Sequence, residues 1–244
     1  MPGTHRPSAA PYATQVLLKE VLLRSLEDKR VTLGKLGERL GVSPPAISRR
    51  VQRLVRRGYL ERDGACGLRL TDVGSKIALY ALRKQEIFEA YLVRELGYQW
   101  DEVRPAADSA LRMDDALIER MYAQIGRPLR CPHGLPIPTR DGRFELPQAV
   151  PLSEWPPNQP AIVSYVLSSD GEMLRYLAEL GLTPGARLAA VARIPFGDSI
   201  KVRIERNRSV NEHVIGAALA QVVFVEAVPT PKPRAAGTDK SPVS

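Results

Sequence analysis

Residues 32–60, TLGKLGERLGVSPPAISRRVQRLVRRGYL, hold two amphipathic helical patterns separated by a turn of a few residues. Leu33, Leu36 and Leu40 fall at i, i+3 and i+7, which places them on one face of a short helix. Gly41 is placed to close that helix. Ser43 then stands where an N-cap is expected, and Pro44 and Pro45 fall in a first turn whose N–H groups have no intrahelical partner to lose. In the second helix Ile47, Val51, Leu54 and Val55 form an apolar stripe. Ala46, Arg49, Arg50, Arg53 and Arg57 recur at i, i+3, i+4, i+7 and i+11 on the opposite side. Helix, tight turn and basic helix make a helix-turn-helix pattern. Gly34 and Gly37 weaken its first helix by about 1 kcal/mol each relative to alanine, so tertiary packing must hold it.

Charge follows the same segment. The chain of 244 residues carries a formal charge of +8 and a pI near 9.7, which favours an anionic partner without separating nucleic acid from an acidic membrane. Its distribution separates them better. Seven Lys or Arg residues (35, 39, 49, 50, 53, 56 and 57) lie between Val31 and Leu60 against one acid, Glu38, the footprint expected of a DNA-binding unit. Arg49, Arg50 and Arg53 are placed to meet base edges or phosphates, with Ser43, Pro45, Ala46 and Ser48 near the helix start and Arg57 at its end. The expected partner is a double-stranded DNA operator.

Two cysteines, Cys66 and Cys131, without CxxC spacing indicate neither a disulfide framework nor a structural zinc site. Cys131 and His133 in CPHG offer a thiolate and an imidazole, fewer than the three or four ligands a site needs. There is no secretory apolar core in MPGTHRPSAAPYA and no apolar run of about 18 residues, so a cytoplasmic protein with no membrane partner is expected. A nucleophile–base motif and a phosphate loop are both missing, so an enzyme is not expected.

The chain divides by composition. Residues 1–11 read as a disordered arm, and 12–74 as a winged helix-turn-helix, with a first helix over 14–26 and a hairpin formed by Tyr59, Leu60, Leu68 and Leu70 around Asp63-Gly64 and Cys66-Gly67. Arg62 and Arg69 suit a wing that follows the phosphate backbone; a merely solvated hairpin has the same pattern. A long helix is expected over 75–96, ended by Gly97. Further helical readings pass through Trp100, Val103 and Ala107 and through Ala116, Leu117, Met121 and Ile125, giving a dimerisation domain over 75–127. Nine of the 21 prolines fall between Gly126 and Pro160, so 128–159 is an extended connector. Strands over 161–167, 188–194, 200–204 and 222–225, with a helix over 171–180 and a turn at Pro195-Phe-Gly-Asp198, predict a small antiparallel barrel over 160–228, followed by a disordered tail, 229–244. The fold class is mainly α with a β-rich C-terminal domain.

This order, with GVSPPAISRRVQRLVRRGYL, LRLTDVGSKIA, CPHGLPIPT and LRYLAELGLTPGARLAAVARIPFG, resembles the diphtheria toxin repressor family of metal-dependent transcription regulators. Its last segment resembles the ferrous iron transport protein A domain, a small Src-homology-like β-barrel. The resemblance implies a homodimeric repressor in which Fe(II) or Mn(II) binds between the first helix and the dimer domain. It also implies where the ligands fall: near Val16 and Lys19 on the first helix, at Gln85 on the long helix, and at Asp108, Leu111 and Arg112. Of these only Asp108 is a competent ligand for such an ion, and Glu89 survives from a possible second site. No metal is therefore expected at the family site. Lys19 and Arg112 bring fixed positive charge there, and Asp108 can pair with either; a solvated cluster is the alternative. The expected function is a homodimeric DNA-binding repressor not gated by metal at the usual site. The alternatives are gating by a small organic effector, with Val16 and Leu111 lining its pocket, and a metal response through a non-standard site.

Overall fold

The computed structural model describes residues 7–27, 31–64, 67–194, 199–206 and 209–228. Eight helices and eight strands lie among them. The first is α1 (Tyr12–Glu27), wider by a few residues than its apolar set implies. Before it, Pro7–Ala9 form a 3-10 turn, and Gln15 Nε2 donates to Ala10 O at 2.7 Å, so the described end of the expected arm is tethered. Helix α2 (Leu33–Leu40) is capped by Thr32 and closed by Gly41 at φ 59°, and α3 (Pro44–Arg56) follows. Ser43 precedes α3 but makes no side-chain cap bond. Pro44 and Pro45 have removed two of the donors, and Ala46 N bonds the Ser43 carbonyl instead.

The wing is the antiparallel pair β1 (Leu60–Asp63) and β2 (Gly67–Leu70); Cys66 in its expected turn lies outside the described residues. Leu17, Leu18 and Val21 of α1, Leu36 of α2, Ile47, Val51 and Leu54 of α3 and Leu60 and Leu68 of the wing share one core. Helix α4 (Asp72–Leu96) starts three residues earlier than its apolar spacing implies, because Thr71 caps it by accepting from Gly74 N at 3.1 Å. Gly74 sits against Tyr59: a Cβ there would lie 1.9 Å from the Tyr59 carbonyl oxygen, so only glycine lets α4 pass this close to the end of α3.

Beyond α4 come α5 (Val103–Ala107), a 3-10 turn (Asp108–Arg112) and α6 (Asp115–Gln124). Leu117, expected inward on α6, is exposed and Ile118 is buried, a phase error of one residue. The proline-rich segment is docked, not free. Cys131, His133, Leu135 and Ile137 are buried, Val166 N donates to the His133 carbonyl at 2.9 Å, and Gly134 (φ +86°) lies where a Cβ would meet Ser164 O at 2.3 Å.

The C-terminal unit is a six-stranded antiparallel sheet. Its strands are β3 (Val150–Pro151), β4 (Ala161–Val166), β5 (Arg187–Arg193), β6 (Ile200–Arg206), β7 (Ser209–Ile215) and β8 (Val223–Ala227), paired in the order β3-β8-β4-β5-β6-β7. Among the described residues this pairing does not close into a ring. Helix α7 (Gly171–Leu180) and the short α8 (Ala217–Val222) complete its core with Leu174, Leu177 and Ala220. Tyr165 and Phe224, stacked 4.6 Å apart, reach instead into the core of α4, α5 and α6, which joins sheet and helices. The expected turn at 195–198, the first six residues and the tail lie outside the described residues.

Candidate nucleic-acid interface and the buried junctions behind it

On α3 Ile47, Val51 and Leu54 of the apolar stripe are buried and Val55 is half-buried, and Arg49, Arg50, Arg53, Arg56 and Arg57 are all exposed. None of them forms an ion pair among the described residues, so five guanidinium groups are available to phosphates and base edges. Pro45 is exposed beside them, while Ala46 and Ser48 are half-buried. In the wing Arg62 is exposed and Arg69 pairs with Glu61 across the hairpin at 3.0 Å, so Arg62 is the freer of the two.

Behind this surface, α1 meets α4 and the Asp108–Arg112 turn. The Lys19 ammonium, 2% exposed, donates to Asp108 Oδ1 at 2.9 Å and to Gln85 Oε1, and stands 3.6 Å from Glu20 Oε1. Glu20 in turn takes Arg39 of α2 at 3.3 Å. Arg112 does not share Asp108; its guanidinium lies 4.1 Å above the Tyr12 ring. A 3-10 turn has three residues per turn, so Asp108, Leu111 and Arg112 do not form the single α-helical face that i, i+3, i+4 spacing implies. Leu111 is buried, Arg112 is exposed and the Asp108 side chain is 52% exposed. Val16 is half-buried.

The junction continues inward. Gln85 Nε2 donates to Glu89 Oε1 at 2.8 Å, His133 Nδ1 lies 3.1 Å from Glu89 Oε2, and His133 Nε2 lies 2.8 Å from the Trp100 carbonyl. Burial pushes the Glu89 carboxyl up, but Arg104 and the His133 and Gln85 bonds outweigh it and hold it near 2. Burial and the Glu89 charge push Glu86 up to about 8. The Cys131 thiol, buried against both carboxylates, is also driven well up. Arg104 keeps its charge despite burial because Glu89 and Glu86 face it. Sequence reasoning missed Arg104 and Glu86: buried charge has no local spacing signature, and both sit in otherwise ordinary helical stretches.

A winged helix-turn-helix joined to a helical unit and an antiparallel sheet defines a class of transcription regulators. Residues 71–139 match the family model described as the iron dependent repressor, metal binding and dimerisation domain, residues 150–227 match the FeoA domain, and residues 21–67 match the MarR family. The iron-dependent repressor IdeR of Mycobacterium tuberculosis is 31% identical over 190 residues, covering 69% of this chain and 81% of the relative. The diphtheria toxin repressor of Corynebacterium diphtheriae is 30% identical over 131 residues, 50% of this chain and 57% of its own length. A manganese-dependent transcriptional repressor in complex with manganese superposes with a TM-score of 0.81 at 33% identity, over 88% of this chain and all of its own. The chain belongs to the diphtheria toxin repressor family, whose members are DNA-binding, metal-dependent transcriptional repressors and not enzymes. Among the described residues no helix is long and apolar enough to cross a membrane.

Proposed function

We propose that this chain is a homodimeric, sequence-specific transcription repressor in which the Lys19 ammonium takes the place of a divalent ion between α1 and the dimer domain. One observation carries this reading: Lys19 Nζ is buried and reaches both Asp108, at 2.9 Å, and Gln85. The residues at the implied ion position do not fit such a cation. They offer one carboxylate and one amide, an ammonium already stands against that carboxylate, the neighbouring Glu20 is taken up by Lys19 and Arg39, and Val16 and Leu111 bring no donor. An ammonium supplies a permanent charge and three donors, so the contact it makes needs no external ion. Asp108 is half-exposed, so the pair adds little stability, and its role is to set the position of α1 against the 3-10 turn.

The test is operator binding, using a duplex selected from a random pool and fluorescence anisotropy at fixed salt. Affinity unchanged by a chelator is expected; affinity lost to the chelator and restored by Mn(II) or Fe(II) overturns the reading. In the same assay Arg49→Ala relaxes sequence preference by about 1–3 kcal/mol at one base pair. Arg57→Ala weakens all sequences alike and lowers the salt slope by about 1.

Gating by a small organic effector is the second reading, favoured by one observation. A cleft of about 1030 Å³ opens between α4, α6 and residues 139–142, lined by Lys76, Tyr80, Arg83, Lys84 and Arg120 among others. It is remote from Val16 and Leu111, where an effector pocket was expected. Thermal-shift screening of anionic metabolites against metal salts separates the two readings.

A further inference from the structure

Arg39 differs from the five arginines between Arg49 and Arg57. Those are exposed and form no ion pair among the described residues, whereas the Arg39 side chain is 27% exposed and its Nε donates to Glu20 Oε2 at 3.3 Å. The first helix of a helix-turn-helix crosses the DNA backbone, so its place alone makes Arg39 a phosphate contact. We propose instead that Arg39 is a positioning residue for DNA binding, which acts through Glu20 to hold α2, and with it the basic helix α3, to the Lys19 junction. The inner end of this link rests on the reading in which Lys19 sets the position of α1, and its outer end, Glu20 with Arg39, stands apart from that reading.

Three observations carry it. The first is an unbroken run of side chains. Glu20 is 7% exposed and both of its oxygens are used: Oε1 lies 3.6 Å from the Lys19 ammonium and Oε2 takes Arg39. Lys19 reaches Asp108 Oδ1 at 2.9 Å, so Asp108, Lys19, Glu20 and Arg39 join the 3-10 turn to α1 and α1 to α2. Adjacent residues of a helix point about 100° apart, so α1 uses Lys19 toward the dimer domain and Glu20 toward α2. The contact between the two side-chain ends joins those sides.

The second observation is that α2 has little else to hold it. It is eight residues long, it contains Gly34 and Gly37, and only Leu36 and Gly37 are buried. So short a helix is not stable by itself in water. Leu36 anchors its inner face in the core, and Arg39, three residues on, adds the polar tie on the same side.

The third is the tight fit of α2 to α3. Val42 N donates to the Gly37 carbonyl at 2.9 Å, and a Cβ on Gly37 would lie 3.0 Å from Val42 O and 3.5 Å from Ile47 Cγ2. The two helices therefore shift together, and whatever fixes α2 aims the arginines of α3. Removing either partner of a buried ion pair leaves the other uncompensated, so the tie fails from both ends.

The test compares Arg39→Met, Glu20→Gln and the double variant of the full-length chain, by fluorescence anisotropy on the selected operator at several salt concentrations. Arg39→Met is expected to weaken binding about tenfold, and by less than about twofold when Glu20→Gln is already present. Its salt slope is expected to stay unchanged, where loss of a phosphate contact lowers the slope by about 1. Hydrogen exchange of the free protein reads the tie without DNA. Amides of residues 33–40 are expected to exchange faster in Arg39→Met and in Lys19→Met, with those of α6 unchanged; loss of a phosphate contact leaves them all as they were. A slope lowered by about 1, additive losses, or unchanged exchange in Arg39→Met overturns the proposal. Unchanged exchange in Lys19→Met overturns its inner end. If Arg39→Met does not fold, Arg39→Lys, which keeps a charge for phosphate but loses the Nε donor, is judged by the same slope and additivity. Chelator-sensitive DNA binding restored by manganese refutes the Lys19 reading without touching the Glu20–Arg39 cycle, and additive losses leave chelator-resistant binding untouched.

Discussion

The Lys19 cluster and the Arg104 cluster both set a fixed cation beside carboxylates, from α1 and the 3-10 turn in the first and from α4 in the second, yet they are finished differently. Around Lys19 the ammonium, both polar atoms of Gln85 and both oxygens of Glu20 have partners, and one of the anions, Asp108, keeps half its surface in solvent. Around Arg104 the anions are wholly buried, and Glu86, Trp100 Nε1 and Arg104 Nε are left without hydrogen bonds. An ammonium is compact and rotates its three donors to whatever is near, whereas a guanidinium is a rigid plane whose fork must match its acceptors. The first cluster is therefore complete with protein atoms alone. The second leaves both acceptors and donors buried without partners.

Breaking the second cluster has the larger effect on stability. Arg104→Met leaves Glu86 and Glu89 buried without their cation, and a loss of about 3–5 kcal/mol is expected by urea unfolding. A loss below about 1 kcal/mol would mean that water or another cation already neutralises these acids.

The matching experiment on the first cluster is Lys19→Glu, which puts a carboxylate beside Asp108 and Glu20. DNA affinity is expected to fall by at least about tenfold, equivalent to ~1.4 kcal/mol, and to recover with added Mn(II). Lys19→Met makes the same break without a new ligand, so its loss is not recovered by metal. Equal responses of the two variants to Mn(II) would remove the distinction drawn between ammonium and ion.

The smallest effect is on pH dependence. Glu86 in the native state has its pKa raised from 4.5 to about 8 by burial and by the Glu89 charge, so the folded chain retains a proton that the unfolded chain has lost. Native stability of the chelated protein therefore falls as pH rises through that window, and Glu86→Gln flattens the slope. Glu89, held near 2, acts with the opposite sign, and its contribution is lost only as pH falls below 4.5. Urea midpoints at about pH 5 and about pH 8 for both chains measure the difference.

Legibility in the sequence followed the same division. The helix-turn-helix with its exposed basic face was readable because Leu33, Leu36 and Leu40 and the alternation of Ile47, Val51 and Leu54 with the arginines are local patterns with a period. Lys19 was readable because a cation stood where the resemblance expects a ligand, though nothing local told whether it met Asp108 or water. Arg104, Glu86 and His133 come from α5, α4 and the proline-rich segment, and only tertiary packing brings them together. Leu117 and Ile118 were exchanged because adjacent apolar residues leave the phase of a short helix undetermined. Strand β7 was missed because it is a sheet edge with Val210 and Val214 exposed, so its side chains show no clean alternation.

The close pass of Gly74 beneath the Tyr59 carbonyl pins one end of α4 under the end of the basic helix α3. Twenty-five residues span about 37 Å, so a tilt of about 3° at the Gln85–Glu89 stretch displaces that end by roughly 1–2 Å. In a two-fold dimer the displacement is doubled between the two half-sites, whose spacing on DNA is set by the helical repeat. A tilt of α4 at the stretch that carries the buried charges would therefore change the reach of the two basic helices, and Gly74→Ala, by prying that contact apart, is expected to uncouple the two.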